Sequence, residues 1–320
     1  MDRRIQFSVP LHPLREHASK PRSTPSEFLS AISEVDADIE LYDPDPYARH
    51  IIEVKQTLEE FGLEIKTVHG GHLQRLLDNG DKGSELITQV RHLHLASVID
   101  QTPTHSLEPE VSAHHAPRLW ADSNVDGDEV VQEFLTEFDR ALDHLEPDPT
   151  RANLDDAVFD GSCITATVCL EKVAPRGPHE YLLVTPENVD TLQQIARERG
   201  CEDAVSFTCD VGHSRQPIEL LHTMNDVRNI HLHSTAPLGS ATTDRLHERY
   251  DLPPDVQTGR EDRDGIAHHL PPHVGDLELP RIFDALDDID YDGPITIELD
   301  EPYRTAEIVQ ETMAAIGTYR

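Results

Sequence analysis

Several apolar stretches of the chain end in side chains that could bind a metal ion or move a proton. The clearest spans residues 204–214, AVSFTCDVGHS, where an apolar run stops at Asp210 and His213 follows three residues later. Aspartate and histidine are ligands of divalent transition metals, and Gly212 between them allows a sharp turn. Taken alone, the stretch fits equally well a strand that ends in a turn, with Asp210 capping the next helix.

Other apolar runs end in the same residue types. They carry, at or near their ends, His69, His114 or His115, Glu171, His231 and Glu298. Twenty histidines will place some imidazoles at strand ends by chance, but the carboxylates are harder to explain that way. Glu171 and Glu298 directly follow apolar runs, where an unpaired charge would be costly. We therefore interpret the set as a site for a divalent cation such as manganese, zinc or cobalt, rather than as caps and ion pairs.

The segments that carry these residues alternate as strands and helices. Eight strands are predicted, at residues 4–9, 38–42, 63–68, 110–113, 164–170, 204–210, 227–232 and 294–299, and a helical segment follows each, including 46–61 and 85–99. Alternation predicts a parallel sheet, and eight units in 320 residues fit a closed (β/α)8 TIM barrel. A doubly wound open sheet would need a glycine-rich loop after the first strand, where the chain reads VPLHPL.

No internal repeat or composition shift divides the chain, so we predict that residues 1–320 form one barrel domain. The polar segment 234–276 is predicted to be an extended loop over the barrel mouth. Active sites of TIM barrels lie at the carboxyl ends of the strands, which is where the candidate residues fall.

The net charge of the chain says more about the solvent to which the protein is adapted than about a binding partner. The net charge is −34, with 61 acidic and 27 basic residues, of which only five are lysines. Such a surface is typical of a halophilic protein, and we expect its melting temperature to rise in molar potassium chloride. Excess negative charge also makes a nucleic-acid partner unfavourable. The four cysteines form no CxxC pair, and no signal peptide or apolar span is found, so we expect a soluble cytoplasmic protein without membrane contact.

Five stretches, in this order and spacing, resemble the xylose isomerase-like TIM barrels. This superfamily contains sugar and sugar-phosphate isomerases and epimerases and the endonuclease IV type of abasic-site nuclease. The stretches are VCLEKV around Glu171, TCDVGHS around Asp210, NIHLHS around His231, HHLPPHVGDLELPRIFDAL around His269 and PITIELD around Glu298. With the strand order, the resemblance covers essentially the whole chain.

The resemblance implies a metal-dependent isomerase or epimerase of a small-molecule sugar or sugar phosphate. By position, the family's four ligands to one divalent ion (manganese, zinc, cobalt or magnesium) fall on Glu171, Asp210, His231 and Glu298. Glu171 and Glu298 would also transfer the proton next to a carbonyl, while the cation stabilises the oxygens. The residues expected to bind substrate are His213, His69, His115 and His269, although His114 is as good a candidate as His115. Homo-oligomer formation is left open.

Two alternatives follow from the same resemblance. The endonuclease IV type holds three zinc ions and would need an Asp-x-His element at the last histidine. His269 matches that histidine, but Ala267 stands at the aspartate position, which puts a third metal in doubt. His233 and Ser234 also replace the family's usual polar residue and aspartate, so no role is assigned to them. The other alternative is a barrel of the family that acts as a dehydratase, a lyase or a binding subunit.

Overall fold

The structure is a computed structural model. It describes residues 3–10, 25–42, 58–70, 73, 77, 111–120, 127–143, 167–172, 179–181, 183, 185–252, 260–261 and 264–319. The helix predicted over 85–99 lies outside these residues, as does most of the helix over 46–61, of which residues 58–60 are helical. None of the helices in the described ranges has the length and apolarity that a membrane crossing requires.

Thirteen strands and seven α-helices have both of their ends within the described residues. In chain order the strands are β1 Ile5–Pro10, β2 Asp38–Tyr42, β3 Ile65–His69, β4 Val111–His115, β5 Arg118–Trp120, β6 Thr167–Glu171, β7 His179–Tyr181, β8 Ser206–Asp210, β9 Val227–Leu232, β10 Ser234–Pro237, β11 Arg260–Glu261, β12 Ile266–Leu270 and β13 Ile295–Ile297. The helices are α1 Pro25–Glu34, α2 Gly127–Asp143, α3 Pro186–Arg199, α4 Pro217–Thr223, α5 Ala241–Arg249, α6 Leu279–Asp288 and α7 Ala306–Ile316.

Eight of the strands are parallel and close into a barrel, which confirms the predicted fold. Around the barrel the order is β1, β2, β3, β4, β6, β8, β9 and β13, and β13 pairs with β1. This order follows the chain, as expected when a helical segment returns the chain after each strand. All eight predicted strands are present, with boundaries that differ by a few residues.

The barrel strands place apolar side chains outward and polar side chains inward. On β1, Phe7 faces outward and its ring meets that of Phe28 on α1 at 6.2 Å between centroids. Gln6 points inward, where its amide donates to Thr67 of β3 at 2.7 Å and to Thr296 of β13 at 2.6 Å. Because side chains alternate along a strand, the residues two positions further on also face the interior, at the carboxyl end.

Local signals in the sequence set the helix boundaries. Thr185 caps α3 by accepting from the backbone N–H of Asn188, and Pro186 occupies the first turn, where no donor is lost. Gly200 ends α3 with φ +72°, a left-handed conformation that glycine adopts without strain. In the same way, Thr305 caps α7. These helices pack their apolar faces on the outward side chains of the strands, forming the core between the two layers.

The prediction of an extended loop over 234–276 was wrong in one respect, because much of this segment has regular structure. It contains α5 and an antiparallel sheet in the order β10, β12, β11. The strands are short and polar, so their sequences carry little pattern, but Ala236, Ala267 and Leu270 are buried. Pairing between distant strands therefore supplies what local sequence does not show. That residues 1–320 form a single domain stays a prediction.

Candidate metal centre

The register of the barrel strands brings the candidate residues to the same end of the barrel. Asp210 of β8 is paired with His231 of β9, and His115 of β4 with Glu171 of β6. Glu298 directly follows β13 and is tied to β9 by its backbone N–H, which donates to the carbonyl of Leu232 at 3.3 Å. Neighbouring strands lie only ~4.8 Å apart, so these side chains meet at the carboxyl ends.

A first group of side chains surrounds Glu171, and we call it the Glu171 cluster: Glu171, Glu40, His69, His115 and His231. One carboxylate oxygen of Glu171 lies 2.7 Å from Nε2 of His69 and 3.2 Å from Nε2 of His115. The other oxygen lies 3.1 Å from Nδ1 of His231, whose Nε2 is 3.0 Å from Glu40. Two carboxylates therefore share three imidazoles.

Charge in the Glu171 cluster favours protonated imidazoles in the metal-free protein. Burial alone would lower the pKa of His69, but Glu171 and Glu40 raise that pKa to about 9. Burial also opposes the charged form of His231, yet Glu40, Glu298 and Glu171 raise its pKa well above the usual value. The pKa of Glu171, which burial would raise, is held well below its usual value by His115, His69 and His231.

A second group surrounds Asp210, and we call it the Asp210 cluster: Asp210, His213, His233 and His269. Asp210 accepts from the backbone N–H of His213 at 2.8 Å and forms an ion pair with Nδ1 of the same residue. Asp210 also lies 3.2 Å from Nε2 of His233. The backbone N–H of His269 in turn points at Nδ1 of His233, 3.1 Å away.

Imidazoles outnumber carboxylates in the Asp210 cluster. Burial lowers the pKa of His213 well below its usual value, and the attraction of Asp210 does not restore it. Burial also opposes the charged form of His233, but Asp210 raises its pKa on balance. The pKa of Asp210 itself, which burial would raise, is lowered well below its usual value by His213 and His233.

Glu298 lies between the two clusters. One of its oxygens is 3.6 Å from Nδ1 of His231 in the Glu171 cluster, and the other is 3.5 Å from Nε2 of His269 in the Asp210 cluster. Its side chain is 11% exposed, whereas that of Glu171 is 1% exposed. Glu298 is therefore the carboxylate of this pair that is more open to an entering molecule.

The donors of both clusters suit a divalent metal ion. Five overlapping groups of three donors have ligand atoms within 4.8 Å of one another, and each of Glu171, Asp210, His231 and Glu298 belongs to two of these groups. Together with Glu40, these residues bring four buried carboxylates to one region. Since buried charge must be compensated, a divalent cation fits the site both in ligand chemistry and in charge. The individual roles of the four residues stay predictions.

His114 and His115 lie on opposite faces of β4, because adjacent residues on a strand face opposite sides. Nε2 of His115 lies 3.2 Å from Glu171. His114 lies against Gly70, where an added Cβ would fall 2.3 Å from the imidazole. The other predicted site residues all belong to the two clusters or, in the case of Glu298, lie between them.

Three residues of the site were not predicted from the sequence. Glu40 is fully buried, and the signal for it was a single acid inside the apolar run Ile39–Leu41. His233 follows β9 and contacts Asp210, although its sequence neighbours gave it no role. Asp300 lies 3.4 Å from Nδ1 of His269, a contact that requires the fold to bring the two chain segments together.

Residues 30–318 match the family described as the xylose isomerase-like TIM barrel. Among solved structures, a D-tagatose 3-epimerase-like protein is 15% identical with a TM-score of 0.61, and the alignment covers 99% of this chain and 96% of that one. The IOLI protein with a bound zinc atom is 16% identical with a TM-score of 0.62, and 99% of each chain is covered. The probable 3-DHS dehydratase AsbF from Bacillus anthracis is 14% identical with a TM-score of 0.59, and 98% of each chain is covered. At these identities the likeness shows the fold. No curated protein sequence matches the chain.

Proposed function

Because the chain belongs to the xylose isomerase-like TIM barrel family, we propose that it is a metal-dependent isomerase or epimerase of a sugar or sugar phosphate. One observation carries the proposal. Glu171 and Glu298, from strands on opposite sides of β8 and β9, both approach Nδ1 of His231, at 3.1 and 3.6 Å. Two carboxylates that flank one donor atom can bind a cation between them and still face the substrate from two sides.

The proposed ligands of one divalent ion are Glu171, Asp210, His231 and Glu298, and manganese, zinc, cobalt and magnesium are the candidates. When bound, the cation would stabilise the negative charge that develops on the substrate carbonyl oxygen. Glu40 supports this arrangement from behind, because its contact with Nε2 of His231 leaves Nδ1 facing the two glutamates.

Proton transfer at the carbon next to the carbonyl is assigned to Glu298 and Glu171. Glu298 is the more exposed of the two and is placed to take the first proton. Glu171, held ionised by its three imidazoles, is placed to accept or return a proton on the other face. An isomerase needs one such transfer between neighbouring carbons, whereas an epimerase needs a base on each face.

The four histidines expected to bind substrate differ in how accessible they are. His115 and His269 have side chains that are 16% and 10% exposed, and we assign to them and to His213 contacts with substrate hydroxyls. His69 is fully buried, and both of its ring nitrogens are used, by Glu171 and by the carbonyl of Gly70. For His69 we therefore propose that it positions Glu171 rather than binding the substrate.

The test is solvent exchange at the substrate carbon. Purified protein in molar potassium chloride with manganese is screened against ketoses and their phosphates in D2O, and deuterium incorporation is followed by NMR. With the substrate found, Glu298→Gln should lower exchange by about 10²–10⁴-fold, the usual contribution of a general base. Glu301→Gln, the same change at an exposed position a few residues later, should leave it unaltered.

The alternatives are separated by the same preparation. Exchange at the wild-type rate in Glu298→Gln would rule out the two-glutamate mechanism. Cleavage of abasic-site DNA, or loss of water from a hydroxylated substrate without prior exchange, would replace the isomerase by a nuclease or a dehydratase. In each of these cases Glu298 would serve only as a ligand of the metal ion.

A further inference from the structure

Lys172 is a buried lysine that directly follows the proposed metal ligand Glu171, and the proposed reaction gives it no part. It is 1% exposed. The chain contains only five lysines, and lysine is almost never buried to this extent without a specific partner, because its polar end loses its contact with water. The position of Lys172 is therefore explained by what its side chain contacts.

The contact is with the backbone of the turn that follows β8, at residues 211–213, which we call the Asp210 turn. Nζ of Lys172 donates a buried hydrogen bond to the carbonyl oxygen of His213. The backbone N–H of His213 donates to a carboxylate oxygen of Asp210 at 2.8 Å. Both backbone polar groups of His213 are therefore engaged, one by Lys172 and the other by Asp210.

This hydrogen bond lies beyond the point where the pairing of β6 with β8 ends. The last pair joins Glu171 to Thr208, which is two residues before Asp210. On its other side the Asp210 turn is held by β9, because the backbone N–H of Val211 donates to the carbonyl of His231 at 3.1 Å. The lysine therefore links the turn to β6 at a place where strand pairing no longer does so.

We propose that Lys172 is a positioning residue that holds the Asp210 turn at a fixed distance from Glu171, and thereby sets the spacing of two ligands of the proposed ion. This inference rests on the proposed function. Donor atoms of Glu171, Asp210 and His213 lie within 4.8 Å of one another. Two oxygen ligands of one zinc ion can be at most about 4.4 Å apart, twice the Zn–O bond length, so the spacing has little room to increase.

Loss of the Lys172 donor would act on Asp210 through His213. A buried carbonyl that loses its hydrogen bond is costly, so the turn would shift until the carbonyl of His213 reached another donor or water. The N–H of His213 would move with it, as would the imidazole, whose Nδ1 also pairs with Asp210. The carboxylate of Asp210 would then lose the two contacts that orient it, and the ion would bind more weakly.

The experiment measures manganese binding to the full chain by calorimetry, without substrate. Lys172→Met keeps a side chain of similar length but removes the donor, and manganese affinity should fall about 10–100-fold, the usual loss when a group that supports a metal ligand is removed. Lys172→Arg, which keeps donors at the end of a long side chain, should recover part of this loss. Lys66→Met is the matched control, because Lys66 lies on β3 and pairs with Glu64, and it should bind manganese as the wild-type protein does.

A second measurement follows the Asp210 turn itself. With 15N-labelled histidine, the backbone amide signal of His213 should shift in Lys172→Met, both with and without manganese, and should keep its place in Lys66→Met. The signal is assigned by its disappearance in His213→Asn. Thermal unfolding shows which variants fold, and Lys172→Gln, which keeps a shorter donor-bearing side chain, serves if Lys172→Met does not.

Wild-type manganese affinity in folded Lys172→Met, with or without a lower melting temperature, would overturn the positioning role and leave Lys172 a part of the fold alone. Equal losses in Lys172→Met and Lys66→Met would also overturn it. The proposed reaction fails separately: a chain that binds manganese through Lys172 as described, but exchanges no deuterium into any sugar, would leave this inference standing. A wild-type chain that binds no manganese would remove both.

Discussion

Glu171 and Asp210 end neighbouring barrel strands, and both carboxylates are buried among imidazoles, but the balance of charge around them differs. The Glu171 cluster adds a second carboxylate, Glu40, and two of its imidazoles have raised pKa values. The Asp210 cluster has one carboxylate for three imidazoles, and the pKa of His213 is lowered. Similar residue types at one end of one barrel therefore prefer different protonation states.

The ratio of acids to imidazoles determines the protonation state of each cluster before a metal ion binds. In the Glu171 cluster a metal must displace protons from imidazoles that hold them tightly, so binding there should depend strongly on pH. In the Asp210 cluster the lowered pKa of His213 leaves its imidazole neutral, so a ligand can bind beside it without displacing a proton from that ring. Changes that alter only one cluster should therefore separate their contributions.

Among changes that distinguish the two clusters, Glu40→Gln should have the largest effect. This change keeps the shape of the side chain but removes the charge that faces Nε2 of His231. Loss of such a supporting carboxylate typically costs 10–100-fold in metal affinity, and we expect a weakening of about this size in the Glu171 cluster. Calorimetry with manganese measures it. Glu301→Gln, the same change at an exposed position, should leave manganese binding unaltered, and an equal loss in that variant would contradict the supporting role of Glu40.

Two glycines offer a matched pair of smaller perturbations. An added Cβ at Gly212 would meet the ring of His233 at 2.2 Å, and one at Gly70 would meet His114 at 2.3 Å. Both alanine variants should unfold more easily, by about 1–3 kcal/mol in urea denaturation, because a buried ring must move. Only Gly212→Ala should also weaken binding of the proposed ion, because His233 contacts its ligand Asp210. If Gly70→Ala impaired it as much, general loosening of the barrel would be the cause.

The smallest effect is the pH dependence of the stability of the metal-free protein. The folded pKa of His69, about 9, lies above the value near 6.5 expected in the unfolded chain. The stabilisation of the folded state by His69 is complete below about pH 6.5 and is lost as the pH rises toward 9. His69→Asn should therefore flatten the alkaline decline in urea denaturation with chelator present. His213→Asn should not, because a histidine with a lowered pKa changes stability only below its unfolded value. His231, whose pKa is also raised, should retain part of the decline, and a decline as steep as in the wild-type protein would contradict the role of His69.

The features that could be predicted from the sequence are those set by residues close to one another in the chain. Barrel strands have apolar runs that end in polar residues, so Glu171, Asp210 and Glu298 were recognisable as members of one set. The choice between His114 and His115 was not, because it depends on which face of β4 points inward. Glu40 was visible as a lone acid in an apolar run, but its partner His231 is nearly two hundred residues away.

The segment after β9 could not be predicted for a similar reason. The pairing of Ser234 with Leu270 and of Ala236 with Ala267 joins residues more than thirty positions apart. Each strand by itself is too short and too polar to show a period. The place of His233 beside Asp210 depends on that pairing, and so it became visible only in the fold.

The hydrogen-bonded side chains inside the barrel limit how substrate can enter the site and how product can leave it. Gln6, Thr67, Asn229 and Thr296 join across the interior one layer below the clusters. They belong to the packed interior of the barrel, which is not a pore, so a molecule reaches the clusters from the carboxyl ends of the strands. Any molecule that reaches them must leave by the opening through which it entered. Product and incoming substrate therefore compete for a single path, and release can limit turnover even when the chemistry is fast.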